Sequence, residues 1–368
     1  MLSSRKYFVG ASMVALVVGF VAAMVCVLAL VAVASAGAKR AEALPRPGVQ
    51  DISGTRTNPL IFVTEEAPLP RGAGSITRVE VRCPSQYLAI GGGFDVRRYF
   101  LQPWLVTESR PSMPDRYPDD RLGEGEGWVV SAYNQTLDIP PFDAYAVCVP
   151  KRILPWRNDA LPVTYPHESK SRLGNQNPAN KTVSVTPACK PGKKAIGGGF
   201  DRRQIYPKDS YDLQLIRSQP NPGNGFRSWI VASRNENVGQ KLTAFSVCVE
   251  DDGIKNLYHE DEAATGGSDT KEVTATTKPC RGDTYLLSGG FGVADGDASW
   301  INWSYSRPGP GSRLDPPLNW RASMKAVGKR TVHAFAMCGE LSSLRADGKL
   351  SGKNPGWGDG MGGGRFKK

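Results

Sequence analysis

Five landmarks recur three times in one order, and that repetition constrains the fold more than any other feature of the chain. Cys83 is followed eleven residues later by Phe94, at the end of Ala89-Ile90-Gly91-Gly92-Gly93-Phe94. Cys189 leads in the same way to Phe200 through Ala195-Ile196-Gly197-Gly198-Gly199, and Cys280 to Phe291 through Leu287-Ser288-Gly289-Gly290. A Ser-x-Pro follows in each copy, at Ser109-Arg110-Pro111, Ser218-Gln219-Pro220 and Ser306-Arg307-Pro308. Trp128, Trp229 and Trp320 then open alternating runs, and each copy closes on a second cysteine, Cys148, Cys248 or Cys338. Such a chain forms either three beads or one body with a pseudo-threefold axis. Spacing does not choose between them.

Within each copy the pattern is β. Thr182-Val183-Ser184-Val185-Thr186 and Trp229-Ile230-Val231-Ala232-Ser233 are short, β-branched or aromatic, and bounded by Gly, Pro or Asn. About five such runs are expected per repeat, with no helical period outside the N-terminal segment. The glycine stretch ends an apolar run, where it permits a β-bulge or a close backbone approach. Ser to Trp spans 19, 11 and 14 residues in the three copies, as variable surface loops would. Repeat three departs from the others: Ser288 stands for the first glycine, Gly292 for Asp95 and Asp201, and Ala326 for Asn134 and Asn235.

Residues 7–36 are almost unbroken apolar sequence without a charge, preceded by Arg5 and Lys6. This is the length of a membrane-crossing helix, and the preceding positive charges predict export of everything after it. Two readings stay open for 1–36: an uncleaved signal anchor, or a signal peptide cut after Ala34-Ser35-Ala36. Both put the body on the extracellular face. Residues 37–74 then read as a stalk, 75–149 as β repeat 1, 150–180 as a linker and 181–249 as β repeat 2. A linker at 250–270, β repeat 3 at 271–340 and a Gly-rich basic disordered tail at 341–368 complete the chain.

Six of seven cysteines occupy the same two places per repeat, which predicts disulfides Cys83–Cys148, Cys189–Cys248 and Cys280–Cys338 in an exported protein. No Cys-x-x-Cys and no adjacent histidine supports zinc, and no cofactor is expected. Repeats of this size need such a staple, because a core so small is marginal alone.

The net charge of +11 invites a nucleic-acid reading. It concentrates in the two ends, Arg5, Lys6, Lys39 and Arg40 at one and a lysine- and arginine-rich tail at the other, so a basic groove in the body is not expected. His167, His259 and His333 do not recur among the repeats, and no nucleophile–base motif includes them; no catalytic residue is nominated. Asp95 and Asp201 lack a second recurring acid for glycosidase work, and a turn or a salt link with Arg97, Arg98, Arg202 or Arg203 is the simpler expectation. Trp128, Trp229 and Trp320 read as core. Trp104, Trp300 and Trp303, at unmatched positions, are candidates to face a sugar ring, with Asp95 and Asp201 as polar candidates beside them. Arg281-Gly282-Asp283 spells an adhesion tripeptide but occupies a turn that differs between repeats, so it reads as coincidence.

The order Cys…Gly-Gly-Gly-Phe…Ser-x-Pro…Trp…Asn…Cys over residues 75–340 resembles a repeat of exported proteins from actinomycete-type bacteria. The resemblance implies a secreted or envelope setting and brings no activity with it. The expectation is therefore an all-β chain: three tandem disulfide-closed antiparallel β repeats, small sandwich or prism-like, after one N-terminal membrane helix. Its expected role is non-enzymatic binding or adhesion, with carbohydrate or cell-wall polymer as partner. Repetition favours a binder because it raises effective concentration. A structural envelope protein without small ligand is the second reading, and a secreted hydrolase the third.

Overall fold

The computed structural model describes residues 60–68, 72, 74–96, 104–134, 141–153, 163–171, 181–202, 213–235, 241–266, 272–294, 301–310, 317–326 and 328–341. The apolar segment 7–36 and the basic tail lie outside these residues. Among the described residues no helix is long and apolar enough to cross a membrane.

Repeat 1 contains β1 (Ile61–Glu66), β2 (Ile76–Arg82), β3 (Tyr87–Asp95), β4 (Trp104–Pro111), β5 (Gly127–Asn134) and β6 (Asp143–Pro150). Repeat 2 begins with a broken strand, β7 (Val163–Thr164) and β8 (His167–Ser171), followed by β9 (Lys181–Val185), β10 (Lys193–Asp201), β11 (Leu213–Pro220), β12 (Trp229–Asn235) and β13 (Lys241–Glu250). Repeat 3 runs through β14 (Ile254–Gly266), β15 (Val273–Thr276), β16 (Tyr285–Val293), β17 (Ile301–Pro308), β18 (Trp320–Ala326) and β19 (Arg330–Leu341). Each repeat thus has six strand positions rather than five. The extra strands come from the segments read as stalk and linkers: β1 pairs with β6, β7 and β8 with β13, and β14 with β19. His167–Ser171 and Ile254–Gly266 are largely polar, and the apolar run of β1, Ile61–Val63, is only three residues long. An outer strand is held chiefly by ladder hydrogen bonds and needs few apolar side chains of its own.

The strands form three antiparallel sheets, and no sheet belongs to one repeat. The orders are β1-β6-β3-β17-β18-β15, then β2-β5-β4-β10-β13-β7 with β8 also on β13, then β14-β19-β16-β11-β12-β9. The glycine strand of each repeat pairs with the Ser-x-Pro strand of the preceding one: Phe200 opposite Ser109, Phe291 opposite Ser218, and Phe94 opposite Ser306. The third pairing closes the cycle. The repeats are therefore a ring around a pseudo-threefold axis, not beads. At the axis β3, β10 and β16 touch one another, and Phe291 meets Phe94 and Phe200 edge-on with ring centroids 6.1 Å away in both cases.

Each landmark has a place in this closure. Trp128, Trp229 and Trp320 are fully buried, and a buried indole N–H needs an acceptor. The serine of Ser-x-Pro supplies it, with Nε1 donating to Ser109 Oγ at 3.0 Å, Ser218 Oγ at 2.9 Å and Ser306 Oγ at 2.9 Å. The two glycines before Phe serve different neighbours. A Cβ at Gly92, Gly198 or Gly289 would enter the indole of the same repeat, whereas one at Gly93, Gly199 or Gly290 would overlap the serine carbonyl of the neighbouring repeat, Ser306, Ser109 or Ser218. The first position faces the axis, which accommodates one side chain in three. Ser288 fills it and donates to the Ile196 carbonyl, while a Cβ at Gly91 would run into Ser288 and one at Gly197 into Ile90. Bulges at Ile90, Ile196 and Leu287 precede these glycines.

The disulfides join Cys83–Cys148, Cys189–Cys248 and Cys280–Cys338 as expected, with Cα atoms 5.8, 5.7 and 5.7 Å apart. Each runs from the segment that follows an outer strand of one sheet to the last strand of the same repeat in another, so it ties two sheets together. Loops of about 60 residues closed this way stabilise by roughly 4 kcal/mol each on the chain-entropy model. Three disulfides fit an oxidising, extracellular environment.

Candidate functional site

The loop between β4 and β5 is the longest of the three equivalents, and it folds over the outer face of the second sheet. Its turns are held by Tyr117 N–H on the Met113 carbonyl at 2.9 Å and Asp120 N–H on the Tyr117 carbonyl at 2.9 Å. Met113, Tyr117 and Leu122 are buried beneath it. Under the loop lies Arg110, whose side chain has no solvent exposure. Its guanidinium donates to Glu108 Oε1 at 2.5 Å and to both Asp120 oxygens at 2.7 and 2.9 Å, and its Cζ stacks 3.6 Å from the Tyr117 ring centre. Arg78 also reaches Asp120, and Met113 N–H donates to Asp120 at 2.6 Å. Burial alone would raise the Asp120 pKa, but the hydrogen bonds and charges of Arg110, with Met113 and Arg78, outweigh it and hold the carboxyl below its ordinary value.

This braced loop forms one wall of a cleft of about 300 Å³ lined by Arg116, Tyr117, Asp201, Lys241 and Thr243. The residues come from two repeats, with Arg116 and Tyr117 on the loop, Asp201 at the end of β10, and Lys241 and Thr243 on β13. Tyr117 donates from its hydroxyl to Asp201 Oδ2 at 2.8 Å; burial first, and the Asp201 charge second, push its pKa up, so it stays protonated and remains a donor. Arg116 donates to His167 Nε2 and, at 3.1 Å, to Ser169 Oγ, which in turn lies 2.9 Å from Thr243 Oγ1. The cleft is therefore a set of fixed donors beside one acceptor carboxylate.

Burial, together with the charges of Arg116 and Lys241, holds the His167 imidazole below its ordinary pKa. The unfolded chain then takes up this proton before the folded one, so His167 stabilises fully above about pH 6.5 and less as pH falls. The thermal midpoint should drop between pH 7 and pH 5, and His167→Gln should shrink that drop. A titration of midpoint against pH checks this; an unchanged slope in the variant would place the acid sensitivity elsewhere.

The sequence candidates separate in the structure. Asp201 lines the cleft. Asp95, its counterpart, pairs with Arg307 of repeat 3 at 3.0 Å; Arg97, Arg98 and Arg203, the other arginines named from sequence, lie outside the described residues. At the remaining seam Gly292 stands opposite Arg217. Trp303 faces inward: it is 5 % exposed, donates to the Leu215 carbonyl at 2.7 Å and packs 4.2 Å from the Phe291 ring centre, so it has no face to offer a sugar. Trp104 begins β4, and its side chain, like Trp300, lies outside the described residues. Asn134 is buried and donates to the Gly72 carbonyl at 3.0 Å. Arg281 of the adhesion tripeptide pairs with Glu260 at 2.9 Å. Arg116, Tyr117, Lys241 and Thr243 were not candidates from sequence; the one signal for the loop pair was the length of the segment from Ser109 to Trp128. Among the described residues no group of three or more His, Cys, Asp or Glu is placed to hold a metal ion. No protein-family model matches the chain, and no curated protein is similar to it.

Proposed function

We propose that this chain is an exported, non-enzymatic binding protein for a carbohydrate or cell-wall polymer, held at the extracellular face by residues 7–36 or released after cleavage near Ala36. The cleft between repeats 1 and 2 carries this reading. Its donors and acceptor converge on one space and are braced from below by the Arg110 network, so little ordering cost would be incurred on binding. Hydroxyl-rich polymers suit such a site because each hydroxyl both donates and accepts.

The test is co-sedimentation of the full chain, disulfides intact, with insoluble cell-wall and polysaccharide preparations at low and moderate salt. Retention that survives moderate salt and is lost on reduction is the expected result. No retention on any polymer would favour the structural envelope role, to which one observation lends weight: the matched Cys, Gly, Ser, Phe and Trp residues are all engaged in packing, cross-linking or closing the ring.

A further inference from the structure

We infer that the cleft recognises an anionic group of the polymer, the carboxylate of an acidic sugar or the oxygen of a phosphate ester, held between Lys241 and Arg116 with the Thr243 hydroxyl as a further donor. This deepens the binding reading above and rests on it.

The charges carry the argument. Two cations and one carboxylate line the cleft. Asp201 already accepts from Tyr117, whereas the Lys241 side chain makes no hydrogen bond or ion pair among the described residues. Three lysines elsewhere in the fold are neutralised by acids, Lys193 by Glu250 at 3.1 Å, Lys194 by Asp251 at 2.7 Å and Lys278 by Glu262 at 2.8 Å. Arg116 is positioned by the His167 ring and the Ser169 hydroxyl. These partners fix its direction without cancelling its charge, which is the arrangement a planar oxyanion meets most strongly. The field of both cations is already felt by His167, whose protonated form they disfavour. An anion seated between them would relieve that repulsion.

The experiment measures binding of the full chain to immobilised polygalacturonate, to poly(ribitol phosphate) and to neutral dextran at moderate salt. Two variants with opposite expected signs accompany it. Lys241→Gln should weaken binding to the acidic polymer about tenfold, the loss of one charge-assisted contact. Asp201→Asn should strengthen it several-fold, since it removes the one opposing charge in the cleft while keeping an acceptor for Tyr117. A merely loosened structure would not bind more tightly. Preference for polygalacturonate or for the phosphate polymer identifies the source of the anion, and either supports the inference. Acidic-polymer binding that neither variant alters would overturn it, leaving attraction by the basic ends of the chain as the cause. Binding to dextran alone would overturn it while leaving the carbohydrate reading intact. Binding to none of the three would remove both.

Discussion

Gly93→Ala is expected to destabilise the protein by more than about 4 kcal/mol, because the added methyl has nowhere to go. At this position a Cβ overlaps the backbone carbonyl oxygen of Ser306 and lies near the Trp320 ring. A side chain in the way could rotate aside. A backbone oxygen inside a strand cannot, so β3 and β17 must separate, and their pairing is what joins repeat 3 to repeat 1. The suitable comparison is Gly192→Ala. That glycine sits at φ 82° with nothing near the added Cβ, so the substitution carries only the backbone strain of about 1–3 kcal/mol. Denaturant midpoints of the two oxidised variants decide the matter. A loss for Gly93→Ala no larger than for Gly192→Ala would show that the seam can open without cost to the ring.

Asp120→Ala should cost about 3–5 kcal/mol, the usual consequence of leaving a buried charge without its partner. Arg110 has no exposure, and Asp120 supplies its bidentate contact. Glu108 stays, but one carboxylate oxygen does not replace two. The same carboxylate anchors Met113 N–H, so the loop that carries Arg116 and Tyr117 should loosen as well. The pair Asp120→Ala with Arg110→Met should recover part of the loss, since it removes the stranded charge along with its partner. Because the folded-state pKa of Asp120 is lowered, its contribution is present above the ordinary carboxylate range and disappears as pH falls through the lowered value. Urea midpoints at neutral and acid pH test this: the gap between wild type and Asp120→Ala should narrow in acid. A neutral-pH cost below about 1 kcal/mol would mean that Glu108 alone compensates, and that the buried network is not what holds the loop.

Most of the strands and the covalent frame are legible in the chain alone. Alternating β-branched runs bounded by Pro, Gly and Asn mark strands because a strand's side-chain period is intrinsic to one segment. Paired cysteines at matched places mark disulfides because their positions recur whatever the sheets do. The core role of Trp128, Trp229 and Trp320 followed from their equivalence. Which strand pairs with which emerges only in the folded molecule. Phe200 finds Ser109 and not Ser218, yet the two serines sit in the same Ser-x-Pro motif at the same place in the order of landmarks. Nothing local separates an intra-repeat pairing from one that exchanges between repeats. Only the closing contact of Phe94 with Ser306 makes the second choice a ring. The strands Ile61–Glu66 and Ile254–Gly266 were hidden for a related reason, since their hydrogen-bond partners lie far away in sequence. The cleft is the extreme case. Arg116 and Lys241 are 125 positions apart, and they meet because a loop of one repeat folds across a sheet it shares with the next. A site assembled from two repeats leaves no motif in either, and its chemistry exists only once the ring has closed.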